Sequence, residues 1–122
     1  MSKFSIKERM LSFRYAFAGF KVLLKSEHNA WIHLSLSVIA IALGFYFDIS
    51  NMEWIAIVIC IGIVISAEIF NTAIEHIANF IQPKQDIKIK HIKDLGAAGV
   101  FTAAFAALII GLIIFSPKIF IS

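Results

Sequence analysis

The sequence predicts an all-α integral membrane protein, with an N-terminal amphipathic interfacial helix followed by three transmembrane helices. Three observations carry that prediction. Hydrophobic residues make up 60% of the 122, against about 45–50% in soluble domains, and mean hydropathy is +0.87. The apolar residues gather into three long runs separated by short polar segments. Ten of the eleven Lys and Arg lie before the first run or between the second and third, the asymmetry expected of loops on the cytoplasmic side. Residues 1–122 therefore read as a single membrane domain whose chemistry must be built from the helices and their edges. Cys60 is the one cysteine and is flanked by Ile59 and Ile61, so it reads as a packed thiol, with neither a disulfide nor a thiolate metal cluster expected. No cleavable signal is expected, because the apolar residues of the basic N-terminus are spaced and do not run together.

Residues 4–26 are expected to form the amphipathic surface helix. Ile6, Met10, Phe13, Phe17, Phe20 and Leu24 recur at steps of four and three and make one apolar stripe, with Lys7, Arg14, Lys21 and Lys25 along its flank. A basic flank beside a Phe-rich face suits a helix lying among lipid headgroups or on the bundle's own edge. The basic residues border an oily face and form no broad patch, so no nucleic-acid partner is expected. The first span is placed at 30–47, slightly short of the roughly 20 residues a crossing needs. DISNME, 48–53, follows as a turn, then a second span at 54–80. A basic loop, 82–94, carries Pro83 as its breaker. The third span is placed at 95–115 and is expected to end at Pro117. Trp31 and Trp54 fall where interfacial tryptophans belong. By the distribution of basic residues, the N-terminus and the 82–94 loop are cytoplasmic.

The second span contains AEIFNTAIEH, in which Glu68, Asn71 and Glu75 are spaced by three and four residues and so share one helix face. A carboxylate in hydrocarbon is costly and marks a candidate functional site. At 1.5 Å per residue, Glu68 lies roughly 21 Å from Trp54 and Glu75 roughly 31 Å. Glu75 thus reaches the cytoplasmic edge of a core about 30 Å thick, with Glu68 about two turns deeper. Glu27, before the first span, and Lys93 and Asp94, before the third, meet the same edge. Two carboxylates there suit Mg²⁺, which completes its shell with water and phosphate oxygens. Lys93 is placed to hold a phosphate as a point charge, and Glu68 to take a proton from a lipid hydroxyl. Together these describe phosphoryl transfer from a soluble nucleotide to a membrane alcohol. No GxxxxGK[ST] motif is present, so a P-loop is excluded. His28, His33, His76 and His91 lack zinc-ligand spacing and read as interfacial hydrogen-bonding groups. Gly99, Ala103, Ala107 and Gly111 form a small-residue stripe on the third span that permits close helix approach and self-association.

AEIFNTAIEH, with Glu27 upstream, KDLGAAGV opening the third span and GLIIFSPK closing it, resembles the small integral-membrane diacylglycerol kinases of bacteria, a family that includes the undecaprenol kinases. The likeness covers nearly the whole chain, and the acid–Asn–acid motif is specific. The resemblance implies a homotrimer in the bacterial inner membrane, with active sites shared between neighbours, Mg²⁺ as cofactor and ATP as co-substrate. It implies Glu68 as catalytic base, Asn71 beside the reacting groups, and Glu27 and Glu75 as metal and nucleotide ligands. It further implies that Lys93, Asp94 and Tyr15 contact the nucleotide. Two departures stand out: Asn79 where the family commonly has Asp, and Ala97 where some members have Ser. NTAIEH and the ending look more like the undecaprenol-kinase branch.

Two other classes fit an acid in a span: a small proton- or ion-conducting oligomer with Glu68 as its relay, and a helper subunit whose polar residues act as interhelical glue. The outer half of the second span, Ile55 to Ile65, is almost uniformly apolar, which disfavours conduction. A helper has no need of the Lys93–Asp94 pair.

Overall fold

The computed structural model describes residues 4–121 as four helices. They are α1 (Ile6–Ser26), α2 (His28–Tyr46), α3 (Asn51–Ile81) and α4 (Ile87–Phe120). The last three are each long and apolar enough to cross a membrane.

Ser5 caps α1, its hydroxyl accepting from the Glu8 amide. The helix stands largely apart from the others: Met10, Phe13 and Phe17 are all exposed, while Leu23 near its end is buried. A one-residue break at Glu27 separates α1 from α2. Trp31 bridges the break, its indole Nε1 donating to the Leu24 carbonyl at 2.8 Å.

Between α2 and α3 the chain reverses through Asp48, whose φ of 50° is left-handed, a conformation that Asp tolerates better than most side chains. Ser50 then starts α3 with a reciprocal capping box. Its hydroxyl accepts from the Glu53 amide while the Glu53 carboxylate accepts from the Ser50 amide. Trp54 folds inward, its ring tilted by 54° against that of Phe45 with centroids 4.8 Å apart and lying over Gly44, where a Cβ would stand 2.6 Å from its ring. It therefore packs α2 against α3. Ile49, Ile57, Ile114 and Phe115 are buried around it as the apolar core of this end of the bundle.

The α4 helix differs from expectation at both ends. It begins at Ile87, inside the segment expected to be loop, because Asp86 caps it by accepting from the amides of Lys88 and Ile89. The charged residues 88–94 are thus its solvated first turns. It also runs through Pro117 to Phe120. Lys118 stabilises that end, donating to the Ile114 carbonyl at 3.1 Å and to Glu53 at 2.7 Å. At 1.5 Å per residue α3 and α4 are about 46 and 51 Å long, well beyond the hydrocarbon thickness of about 30 Å. They pack together along most of their length, whereas α2 and α4 make little contact with each other. Between those two, on the floor of α3, lies a largely apolar groove of about 550 Å³.

Candidate active site

The motif face of α3 turns into the bundle. Glu68 is 1% exposed, and Asn71 and Thr72 are buried beside it. Helical spacing accounts for this: residues 64, 68, 71, 75 and 78 fall on the side that α4 and α2 cover. Glu75, about two turns toward the C-terminal end of α3, is half-buried. The Asn71 amide links the levels, its Nδ2 donating to Glu75 Oε1 at 3.3 Å.

Gly96 on α4 makes room for Asn71. A Cβ there would collide with Asn71 Oδ1, so the amide rests directly against the α4 backbone. Gly99 and Gly111, in contrast, have open space where a Cβ would go. The close approach of α3 and α4 therefore occurs at Gly96, outside the stripe expected to provide it. Ala107 and Gly111 instead line the groove.

The α2 helix contributes His33, which sequence reasoning did not assign to the site. Its Nε2 lies 3.1 Å from Glu68 Oε1, with the imidazole largely buried. The approach is off the line of a hydrogen bond, so Oε1, like Asn71 Oδ1 and Thr72 Oγ1, is buried without a partner. His33 and Val64 also line the groove, so the groove leads up to Glu68.

Glu27 sits in the break between α1 and α2, half-buried, and its carboxylate makes no capping hydrogen bond to α2. The charges of both Glu27 and Glu75 reach Glu68. Lys93 and Asp94 follow on α4 but point to different partners. Lys93 Nζ donates to Asn79 Oδ1 at 2.5 Å, one turn beyond Glu75, while Asp94 pairs with Lys90 at 2.6 Å. Both also line a second cavity of about 600 Å³ under the α3–α4 connection. Tyr15 is exposed and stands roughly 18 Å along α1 from Glu27; one chain does not bring it to the acids.

Among the described residues, no three His, Cys, Asp or Glu side chains come together as a metal centre. Mg²⁺ held by two carboxylates and phosphate oxygens needs no third. Glu27 and Glu75 fit that donor set: the first makes no cap bond, and the second has only Oε1 engaged, by Asn71.

One end of the bundle thus gathers a buried acid, a histidine, an amide, two further acids and a lysine at the head of an oily groove. The family model for prokaryotic diacylglycerol kinases matches residues 14–115. The chain belongs to that family. Membership in the diacylglycerol kinase family makes it a multi-pass membrane protein and a lipid kinase. An undecaprenol kinase from Bacillus subtilis (strain 168) is 36% identical over 108 residues, covering 88% of this chain and 88% of the relative. A diacylglycerol kinase from Synechocystis sp. (strain ATCC 27184 / PCC 6803 / Kazusa) is 30% identical over 105 residues, covering 84% of this chain and 59% of that longer protein.

Proposed function

We propose that the protein transfers the γ-phosphate of ATP to a membrane lipid alcohol at the cytoplasmic face of the bacterial inner membrane. The observation that carries this reading is the buried Glu68 at the head of the groove. An apolar chain lying in the groove brings its terminal hydroxyl to a carboxylate with an unpartnered oxygen. Undecaprenol is the preferred acceptor, giving undecaprenyl phosphate. Support comes from the likeness to the Bacillus subtilis undecaprenol kinase over 88% of both chains. Diacylglycerol, giving phosphatidic acid, is the other acceptor to test.

Each residue then has a defined task. Glu68 accepts the hydroxyl proton as the acceptor oxygen bonds to the γ-phosphorus and the bond to the β-phosphate oxygen breaks, releasing ADP. Asn71 holds Glu75 in register with that centre. Glu27 and Glu75 would hold Mg²⁺, which neutralises phosphate charge when bound. Lys93, whose hydrogen-bond partner among the described residues is the neutral amide of Asn79, is left to meet a phosphate. Asp94 and Tyr15 contact the nucleotide, Tyr15 from a neighbouring copy in a homotrimer, since α1 stands away from its own bundle.

The test is transfer of label from γ-labelled ATP to undecaprenol and, separately, to diacylglycerol, by purified protein. Transfer to undecaprenol at the higher kcat/KM is expected. Higher kcat/KM on diacylglycerol reverses the choice of acceptor, and transfer to neither overturns the kinase reading for this site.

A further inference from the structure

His33 touches the site but has no task in the reaction as described. It approaches Glu68 Oε1 to 3.1 Å, its side chain 17% exposed and that of Glu68 1%. Among the described residues it is the one basic side chain within ion-pair distance of Glu68. The other charged groups that reach the carboxylate, Glu27 and Glu75, carry its own sign. Oε1 has no donor in this arrangement, and a small rotation of the imidazole supplies one. Catalytic hydrogen bonds are commonly loose without substrate and tighten when it binds.

We propose that His33 is a positioning residue for Glu68. Its Nε2–H donates to Oε1 and keeps the carboxylate turned toward the end of the groove, where the acceptor hydroxyl arrives. Because His33 also lines the groove, the imidazole stands between the lipid chain and the base and fixes their relative placement. The pairing rests on geometry alone; its consequence for rate rests on the kinase reading.

The test uses the full-length protein in mixed micelles with three variants. His33→Leu removes the donor. His33→Gln places an amide nitrogen near the Nε2 position. His33→Asn carries an amide too short to reach Oε1 and stands in for leucine if that variant does not fold. The leucine and asparagine variants are expected to lose kcat at least tenfold with the KM for ATP unchanged, and the glutamine variant to recover most of it. A second readout needs no turnover. Dicyclohexylcarbodiimide attacks protonated carboxyls in hydrocarbon, and mass spectrometry locates the adduct. Labelling of Glu68 is expected to rise several-fold in the leucine and asparagine variants and to stay at the wild-type level with glutamine. Equal kcat in all four proteins, equal loss in all three variants, or equal labelling throughout overturns the proposal. A wild-type protein that transfers no phosphate while the labelling pattern holds removes the kinase reading and leaves the pairing intact.

Discussion

Glu68, Asn71 and Glu75 have distinct surroundings despite sharing one helix face. Glu68→Gln keeps the volume and removes the base. Turnover should fall about 10²–10⁴-fold, the usual contribution of a general base, with ATP binding retained; near-normal rates in the purified variant would eliminate the role. Gly96→Ala forces a methyl into the space occupied by Asn71 Oδ1. Overpacking of this kind costs about 1–3 kcal/mol. A lower melting temperature together with lost activity is expected, whereas Gly99→Ala, which meets open space, should change neither. Asn79→Asp turns the neutral partner of Lys93 into a competing anion. The KM for ATP should rise several-fold, and an unchanged KM would detach Lys93 from the nucleotide. At this scale the acids and Asn71 were legible because they share one helix, where spacing alone decides the face. His33 was not, because its partner lies on another helix and a lone histidine on an oily face carries no periodic signal. Asn79 stood out as a departure, but its contact with Lys93 crosses from α3 to α4.

The helices themselves were legible in number and order, less so in extent. The basic residues of 82–94 and the breaker Pro83 point to a loop, yet Asp86 is a helix cap and the charges after it are the solvated start of α4. Proline normally ends a helix by removing a donor and crowding the preceding turn. At Pro117 the helix continues, with Lys118 bonded to the Ile114 carbonyl and tied across to α3 through Glu53. The capping box Ser50–Glu53 was readable from its Ser-x-x-Glu spacing; the 48–53 segment read only as a turn. Lys118→Ala should therefore lower the melting temperature, since it removes both bonds at that end of α4. It should leave the KM for ATP unchanged, since the pair lies at the opposite end of α3 from Glu75. A double-mutant cycle with Glu53→Gln, read by melting in detergent, measures the coupling. A coupling indistinguishable from zero would show the pair to be incidental.

For the molecule as a whole, the small-residue stripe divides between two surroundings. Gly99 is exposed with nothing near it, while Ala107 and Gly111 line the groove. Leucine at the two positions should therefore fail differently. Gly99→Leu should leave the single-chain fold intact and weaken association of copies, read by cross-linking and detergent sizing. Ala107→Leu should leave association intact and raise the KM for the lipid as the groove fills. If both variants associate fully and work normally, the stripe neither joins copies nor admits lipid. Small residues at four-residue intervals were visible in the sequence. Which surface each would face was not, because that depends on how far α2 and α4 diverge.

That divergence has a consequence for how the substrate is supplied. A groove open between two helices admits its occupant sideways, from within the membrane plane. The occupant's supply is then set by its mole fraction in the surrounding amphiphile and not by its concentration per litre of solution. Diluting the acceptor with inert detergent at constant total volume should slow the reaction even though the amount of acceptor in the tube is unchanged. Diluting the whole suspension with buffer containing ATP should leave the rate per protein molecule nearly constant. The protein would thus respond to the two-dimensional crowding of its acceptor and could sense depletion within a single leaflet.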